Sequence, residues 1–297
     1  MIEMVKKKGQ KVNQPSIAAS LIETFIEEGY YPELKQSEGK LKKLSSSIRE
    51  QLKSSEVKRH EFTKHGLVGR FIAKKVYETD YLALNEYLYD VGLLLQVAEI
   101  DNKAIQSNFL YLDMIQEFKL EDTFYVKPNF NKVGKELNKL PDSFVISEDC
   151  AIDELASQIA TLKPRVKELK NDYERLKWKL INLPEFVQMM HLPKEKREPI
   201  PHKYGSISLV ANQPRYNIPV IYEYIGEWLL IEYGKPNSEL LERFILNGTI
   251  SKKEIDQFKT VKTIDLEFSV MTLEDEEKFL TMLDNKNRTA AANRMGA

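Results

Sequence analysis

Apolar residues recur at spacings of three and four at Ile152, Leu155, Ile159, Leu162, Val166, Leu169, Tyr173, Leu176, Leu180 and Leu183, an a/d heptad seam without a miss. The seam predicts one long helix packed along its length against other helices. Pro164 falls at an f position, pointing away from the seam. It still removes the bond to the Ala160 carbonyl, at a cost on the order of 3 kcal/mol. A kink, or two abutting helices in register, is expected there.

Before the seam, Ile17, Leu21, Ile22, Phe25 and Ile26 share a helical face behind Ser16 as N-cap, and Gly29 ends that helix. A lysine-rich helix is expected next, to about Lys58, burying Leu41, Leu44, Ile48 and Leu52. Residues 67–78 lose the helical period beside Gly66 and Gly69 and read as a strand. Asp80 caps a helix through Asp90 that stops at Gly92. Asp101 caps another through about Phe118, with Ile105, Phe109, Leu112 and Ile115 at helical spacing. Short extended segments are expected at 123–127 and 143–146.

After the seam, Pro184, Pro193, Pro199 and Pro201 mark a linker or extended crossing. Residues 205–211 alternate as a strand does. In 218–233 the Val, Ile and Tyr content favours strands. The series Ile221, Ile225, Leu229 favours a helix opened by Asn217, and helix is the preferred reading. Asn237 or Ser238 opens a further helix closed by Gly248, and Ser251 with Glu254 forms a capping box. Ile264, Leu266, Phe268 and Val270 alternate as a strand. Thr272 caps a final helix with Glu274, Asp275, Glu276 and Glu277 in its first turn, where the helix dipole favours them.

Together these elements predict an α+β chain, predominantly helical, whose long central helix or kinked helix pair links two parts containing short strands. The expected division is a flexible tail at 1–13, a mainly helical α+β part with a basic patch at 14–148, and the coiled-coil-like helix at 149–183. A proline-rich linker at 184–203 and a C-terminal α+β part at 204–297 complete it.

Composition narrows the classes. The 297 residues are 42% hydrophobic, enough for a sizeable core, and 44 basic against 45 acidic residues leave a formal net charge of -1. Any polyanion site must therefore be local. A single cysteine, Cys150, excludes an internal disulfide and a multi-cysteine metal cluster. No apolar stretch approaches the roughly 20 residues of a bilayer span, and no apolar segment follows Lys6, Lys7, Lys8 and Lys11 as in a signal peptide. A cytoplasmic protein with no membrane partner is expected. The lysine-, tyrosine- and asparagine-rich wording points to a low-GC bacterium or its phage.

Candidate chemistry is sparse. His60, Glu61 and His65 imitate HExxH but are one residue too long. Histidines at i and i+5 diverge by roughly 140° on a helix, so a solvated helix end is the better reading. His191 and His202 read as loop residues. Glu86 with Asp90, and Glu223 with Glu227, read as solvated helix faces, and Glu168 with Lys170 as outward helix charges. Phosphate loops, dinucleotide loops and nucleophile elbows are absent from the sequence. Cys150 follows Glu148 and Asp149, whose field raises a thiol pKa. No metal, cofactor or catalytic residue is assigned and the reading leans against an enzyme. A dispersed catalytic site would be sought at Glu223, Tyr224 and Glu227 near Trp228.

The strongest binding signal is basic. Between Lys35 and Lys75 twelve cations stand against four acids, a local net of +8. Lys40, Lys42, Lys43, Arg49, Lys53, Lys58, Arg59, Lys64, Arg70, Lys74 and Lys75 are the candidate nucleic-acid contacts, with steep salt dependence expected. The two helices around 247–251, with Lys252, Lys253, Gln257 and Lys259 on the second, are spaced roughly like a helix-turn-helix but read as a plain helical hairpin.

The heptad helix is basic-flanked. Its e positions are Ala156, Lys163, Lys170 and Lys177, and its g positions are Gln158, Arg165, Asp172 and Lys179, so homodimerisation through the seam is disfavoured. Lys163, Arg165, Lys170 and Lys177 are expected to meet an acidic helix: that of residues 274–277, the face of Glu23, Glu27 and Glu28, or a partner protein. The expected function is non-enzymatic binding of nucleic acid through the basic patch, in a protein of phage or mobile-element origin. A protein-interaction, inhibitor or assembly role built on the helical spine is the alternative, and a structural phage component the third.

Overall fold

A computed structural model describes residues 16–147 and 149–295; the tail expected at 1–13 and Glu148 lie outside them. Helix α1 (Ile17–Glu27) starts where the Ser16 hydroxyl accepts from the Ala19 amide at 3.1 Å. The Glu185 carboxylate accepts from the amides of Ile17 and Ala18 as well, so a distant acid completes the cap. Helix α2 (Tyr30–Leu52) follows, with Leu44 and Ile48 buried and Leu41 and Leu52 half-buried, and stops short of Lys58. Strands β1 (Arg59–Phe62) and β2 (Leu67–Thr79) flank a 3-10 turn, so His60 lies on a strand and His65 in a turn, not at a helix end.

Asp80 accepts from the Ala83 amide and opens α3 (Tyr81–Asp90), after which come α4 (Leu94–Val97) and β3 (Ala98–Ile100). The single helix expected from Asp101 to Phe118 is broken into α5 (Asn102–Ile105) and α6 (Phe109–Ile115). Asn108 causes the break: its side chain accepts from the Tyr111 amide and starts a new helix, leaving Phe109 81% exposed. Strand β4 (Phe124–Phe130) and helix α7 (Lys132–Leu137) follow. The extended segment expected at 143–146 is instead turn and loop, held by a bond from the Phe144 amide to the Pro141 carbonyl.

Helix α8 (Ile152–Ile181) runs through Pro164 without a break, and no seam position is exposed. Pro164 itself is exposed, as its f position requires. The expected linker is structured at both ends. Helix α9 (Pro184–Met190) takes Pro184 in its first turn, where a missing amide costs nothing, and Ile200–His202 forms β5.

Strand β6 (Gly205–Ala211) is followed by α10 (Ile218–Ile225) and α11 (Glu227–Tyr233). Residues 218–233 are therefore helical but interrupted by Gly226 at φ +104, a backbone that L side chains rarely adopt. Strand β7 (Gly234–Pro236), helix α12 (Ser238–Leu246) capped by Asn237, and helix α13 (Lys252–Asp256) with its capping box intact come next. Strand β8 (Lys259–Thr272) begins earlier than its alternation suggested, and Thr272 accepts from the Asp275 amide to open α14 (Leu273–Met295). Helix makes up 57% and strand 21%, so the mixed, mainly helical class holds. Among the described residues no helix is long and apolar enough to cross a membrane.

The chain divides into two compact units, each discontinuous in sequence. Of the described residues, the first unit takes those up to 43, 124–147 and 161–211. Its sheet has the order β4-β6-β5, all antiparallel, and its core joins Ala18, Ile22 and Ile26 of α1 to Leu176, Leu180, Phe186 and Ile207. A second cluster joins Leu34 and Leu41 to the seam residues Val166, Leu169 and Tyr173. Beside it Arg165 forks the Glu33 carboxylate and Lys170 reaches Glu38 at 3.1 Å. The acids that meet this part of the seam therefore come from α2, not from the final helix or the α1 face. Lys177 pairs with Glu174 on its own helix, and Lys163 is half-buried.

The second unit takes 44–123, the described residues of 148–160 and those from 212 on. Its main core gathers Leu84, Leu88, Val97, Ile105, Ile221, Leu229, Leu230 and Leu241. Asn85, fully buried on α3, donates to the carbonyls of Leu230, Ile231 and Gly234 and so satisfies the C-terminal end of α11. The sheet β3-β7 lies in this unit, as does the antiparallel sheet β1-β2-β8.

Candidate nucleic-acid interface

The sheet β1-β2-β8 sorts its charges by face. Side chains alternate along a strand, and residues directly opposite in an antiparallel pair share a face. His60 opposes Gly69, which opposes Val270; Phe71 opposes Phe268; Lys75 opposes Ile264. These pairs, with Tyr77 and Val261, form the near face. Arg59 opposes Arg70, Ile72 opposes Glu267, Lys74 opposes Asp265, and Glu78 opposes Thr260, all on the far face. The register shifts between Val76 and Tyr77, leaving Lys262 without a partner in the ladder.

All four carboxylates of the three strands, Glu61, Glu78, Asp265 and Glu267, fall on the far face, where Glu61, Glu78 and Glu267 meet cations and Asp265 stands opposite Lys74 in the ladder. Glu276, 3% exposed in the first turn of α14, accepts from Arg59 at 3.0 and 2.6 Å and from Arg70 at 3.0 Å. Arg59 also bonds Glu61, Lys74 bonds Glu267 at 3.0 Å, and Lys262 lies 4.0 Å from Glu78. The Arg59 guanidinium holds the Glu276 carboxyl below its ordinary range against the opposing effect of burial. Arg59, in turn, is held protonated by Glu276 and Glu61.

The near face carries cations and rings. Lys58 continues the β1 edge, its carbonyl accepting from the Phe71 amide, and its ammonium stands 5.8 Å from the Phe71 ring centroid. Phe71 packs on Phe268 at 4.8 Å, and His60 approaches Phe71 edge-on at 6.4 Å. Further along, Lys75, Tyr77, Val261, Ile264 and Leu266 are exposed. Lys259, opposite Thr79 at the end of this face, is paired with Asp256.

The basic run is thereby divided. Arg59, Arg70 and Lys74 are engaged with carboxylates, whereas Lys58 and Lys75 stand on the acid-free face. Arg49, Lys53 and Lys64 are exposed on α2 and in the 3-10 turn, with Lys53 beside Glu50. Lys40, Lys42 and Lys43 belong to the first unit, where Lys40 and Lys43 lie over the Phe144 ring. Strand parity in β2 was legible in the sequence and separates Lys74 from Lys75. The Glu276 cluster was not, because it joins residues more than 200 apart in the chain.

Other candidates resolve structurally. His65 bonds Asp153 at 3.1 Å and His60 meets the Val57 carbonyl at 2.9 Å. His202 sits on β5, not in a loop, and burial pushes its pKa down. Glu86 and Asp90 are exposed on α3. Glu223 and Glu227 fall on different helices across Gly226, and Tyr224 is an exposed ring stacked on Phe118. Cys150 has its thiol pKa raised, by burial and then by Glu154. Helix α13 has five residues and leads directly into β8, too short to act as a recognition helix. Compared with known proteins, the chain matches no family model, no curated protein and no solved structure.

Proposed function

We propose that this protein binds single-stranded nucleic acid on the near face of the sheet β1-β2-β8. The observation that carries the reading is the segregation of charge: every carboxylate of the three strands lies on the far face. Lys58 and Lys75 stand on the other, where Tyr77 offers an exposed ring and His60 a half-buried one, Phe71 itself being buried. Lysines beside aromatic rings suit a strand whose phosphates are neutralised and whose bases stack, and such binding is sequence-tolerant. A duplex presents no free base faces and would use only the lysines.

The test is fluorescence anisotropy with a labelled oligonucleotide, single-stranded and as duplex, over a salt series. Single-strand binding should weaken with salt, and Lys58→Ala or Lys75→Ala should each reduce the log–log slope by about 0.7. Tyr77→Ala should weaken binding by about 1–3 kcal/mol. Lys74→Ala, on the far face, should leave the affinity nearly unchanged. Absence of binding, or equal effects of Lys74→Ala and Lys75→Ala, would sink the reading.

A further inference from the structure

Beyond its base, the sheet is a two-stranded ribbon exposed on both sides: residues 72–78 of β2 and 260–267 of β8 are all exposed. Strand β8 is an edge, and no described strand pairs with its outer side. Two strands alone are marginal in water, and a long bare edge is a template for another strand. Val261, Ile264 and Leu266, at 47%, 61% and 47% exposure, form an apolar row along that edge.

We propose that β8 pairs antiparallel with β8 of a second copy of this chain, making a continuous six-stranded sheet about a two-fold axis. The edge is self-complementary. Centred on Ile264, with Lys262 left out of the ladder as it is against β2, the register sets Ile264 against Ile264 of the second copy. Leu266 then meets the second copy's Val261, so six apolar side chains share one face. On the other face Thr263 meets Asp265, and Thr260 meets Glu267. No like charges oppose each other. The opposite edge of the ribbon is less suited: β2 carries Lys74 and Lys75 in the middle of its free stretch, a device that blocks edge pairing. Antiparallel self-pairing is isologous and closed, so assembly stops at two copies.

An eight-residue edge buries less than the roughly 800 Å² per partner of a standard interface, so the dimer should dissociate on dilution. Analytical ultracentrifugation of the full chain over a concentration series reads this directly. The expected result is a monomer–dimer equilibrium that Ile264→Lys, which opposes two ammonium groups at the axis, shifts to monomer. Circular dichroism should be unchanged, since position 264 is exposed. In a Cys150→Ser background, Ile264→Cys should give a disulfide-linked dimer under mild oxidation, and Ile72→Cys on the far face should not. A chain that stays monomeric at every concentration overturns the proposal. So does a dimer indifferent to Ile264→Lys, or equal cross-linking at positions 72 and 264. No nucleic acid enters the experiment, so its outcome is independent of the binding reading above.

Discussion

Arg165 grips Glu33 with two parallel bonds, Nε to Oε1 and Nη2 to Oε2, each 2.7 Å long. This planar fork fixes α2 against the seam of α8 within the first unit, beside Leu34, Val166 and Leu169. Both side chains are more than a third exposed, so screening limits what the pair contributes. A double-mutant cycle with Arg165→Ala and Glu33→Ala, read by urea unfolding, should give a favourable coupling that shrinks with added salt. Arg165→Lys should recover only part of it, because an ammonium cannot fork a carboxylate. A coupling of zero at low salt would show the geometry to be energetically idle.

Glu276 is the single acid holding both Arg59 and Arg70 at the base of the exposed sheet. Its removal takes the buried acid from Arg70 and leaves Arg59 with Glu61, and since the two guanidinium groups are 30% and 39% exposed, solvent limits the cost. Glu276→Ala should still lower the unfolding midpoint more than Glu274→Ala, whose carboxylate is exposed in the same turn.

Asn85 should behave as a structural amide. Asn85→Ala leaves three carbonyls at the end of α11 without their buried donor, at about 1–3 kcal/mol for an unsatisfied group. Oligonucleotide affinity at a temperature where the variant is folded should be unchanged. A neutral effect on stability would mean that those carbonyls find other donors.

The pH dependence has two parts. Burial holds the His202 imidazole below its ordinary pKa, with Nδ1 accepting from the Tyr204 amide at 3.2 Å. The unfolded chain thus takes up this proton first as pH falls. Stability from His202 is complete above the ordinary imidazole value of about 6.5 and is lost as pH falls from there through the folded value. Lower still, Glu27, Glu33, Glu38 and Glu276, whose folded pKa values lie below the ordinary carboxylate value, lose their pairing as they protonate. Urea midpoints against pH should show the first loss in the native chain and not in His202→Phe.

Local signals carried much of this fold. Ser16, Asp80, Asn217, Asn237, Ser251 and Thr272 all cap as their spacing implied, and no seam position is exposed. What failed was longer in reach or smaller in scale. Asn108 restarts a helix inside an apolar pattern that a continuous helix fits equally well. Pro184 opens a helix in a stretch whose four prolines read as linker. In the basic run, composition gave a net charge but no direction. Strand parity separates Lys75 from Lys74, but only the fold, across more than 200 residues, attaches Arg59 and Arg70 to Glu276.

The adjacent lysines of β2 have a consequence for insertions and deletions. A one-residue slip in a strand turns every side chain to the opposite face. Between Arg70 and Lys74, losing one residue would exchange Lys74 with Lys75, leaving one lysine on each side, but would also exchange Tyr77 with Glu78. The same loss before Arg70 would tear Arg70 from Glu276. The ribbon is thus pinned at its base: a loss beyond Arg70 spares the Glu276 cluster while bringing Glu78 onto the acid-free face, and a loss before Arg70 breaks the cluster itself.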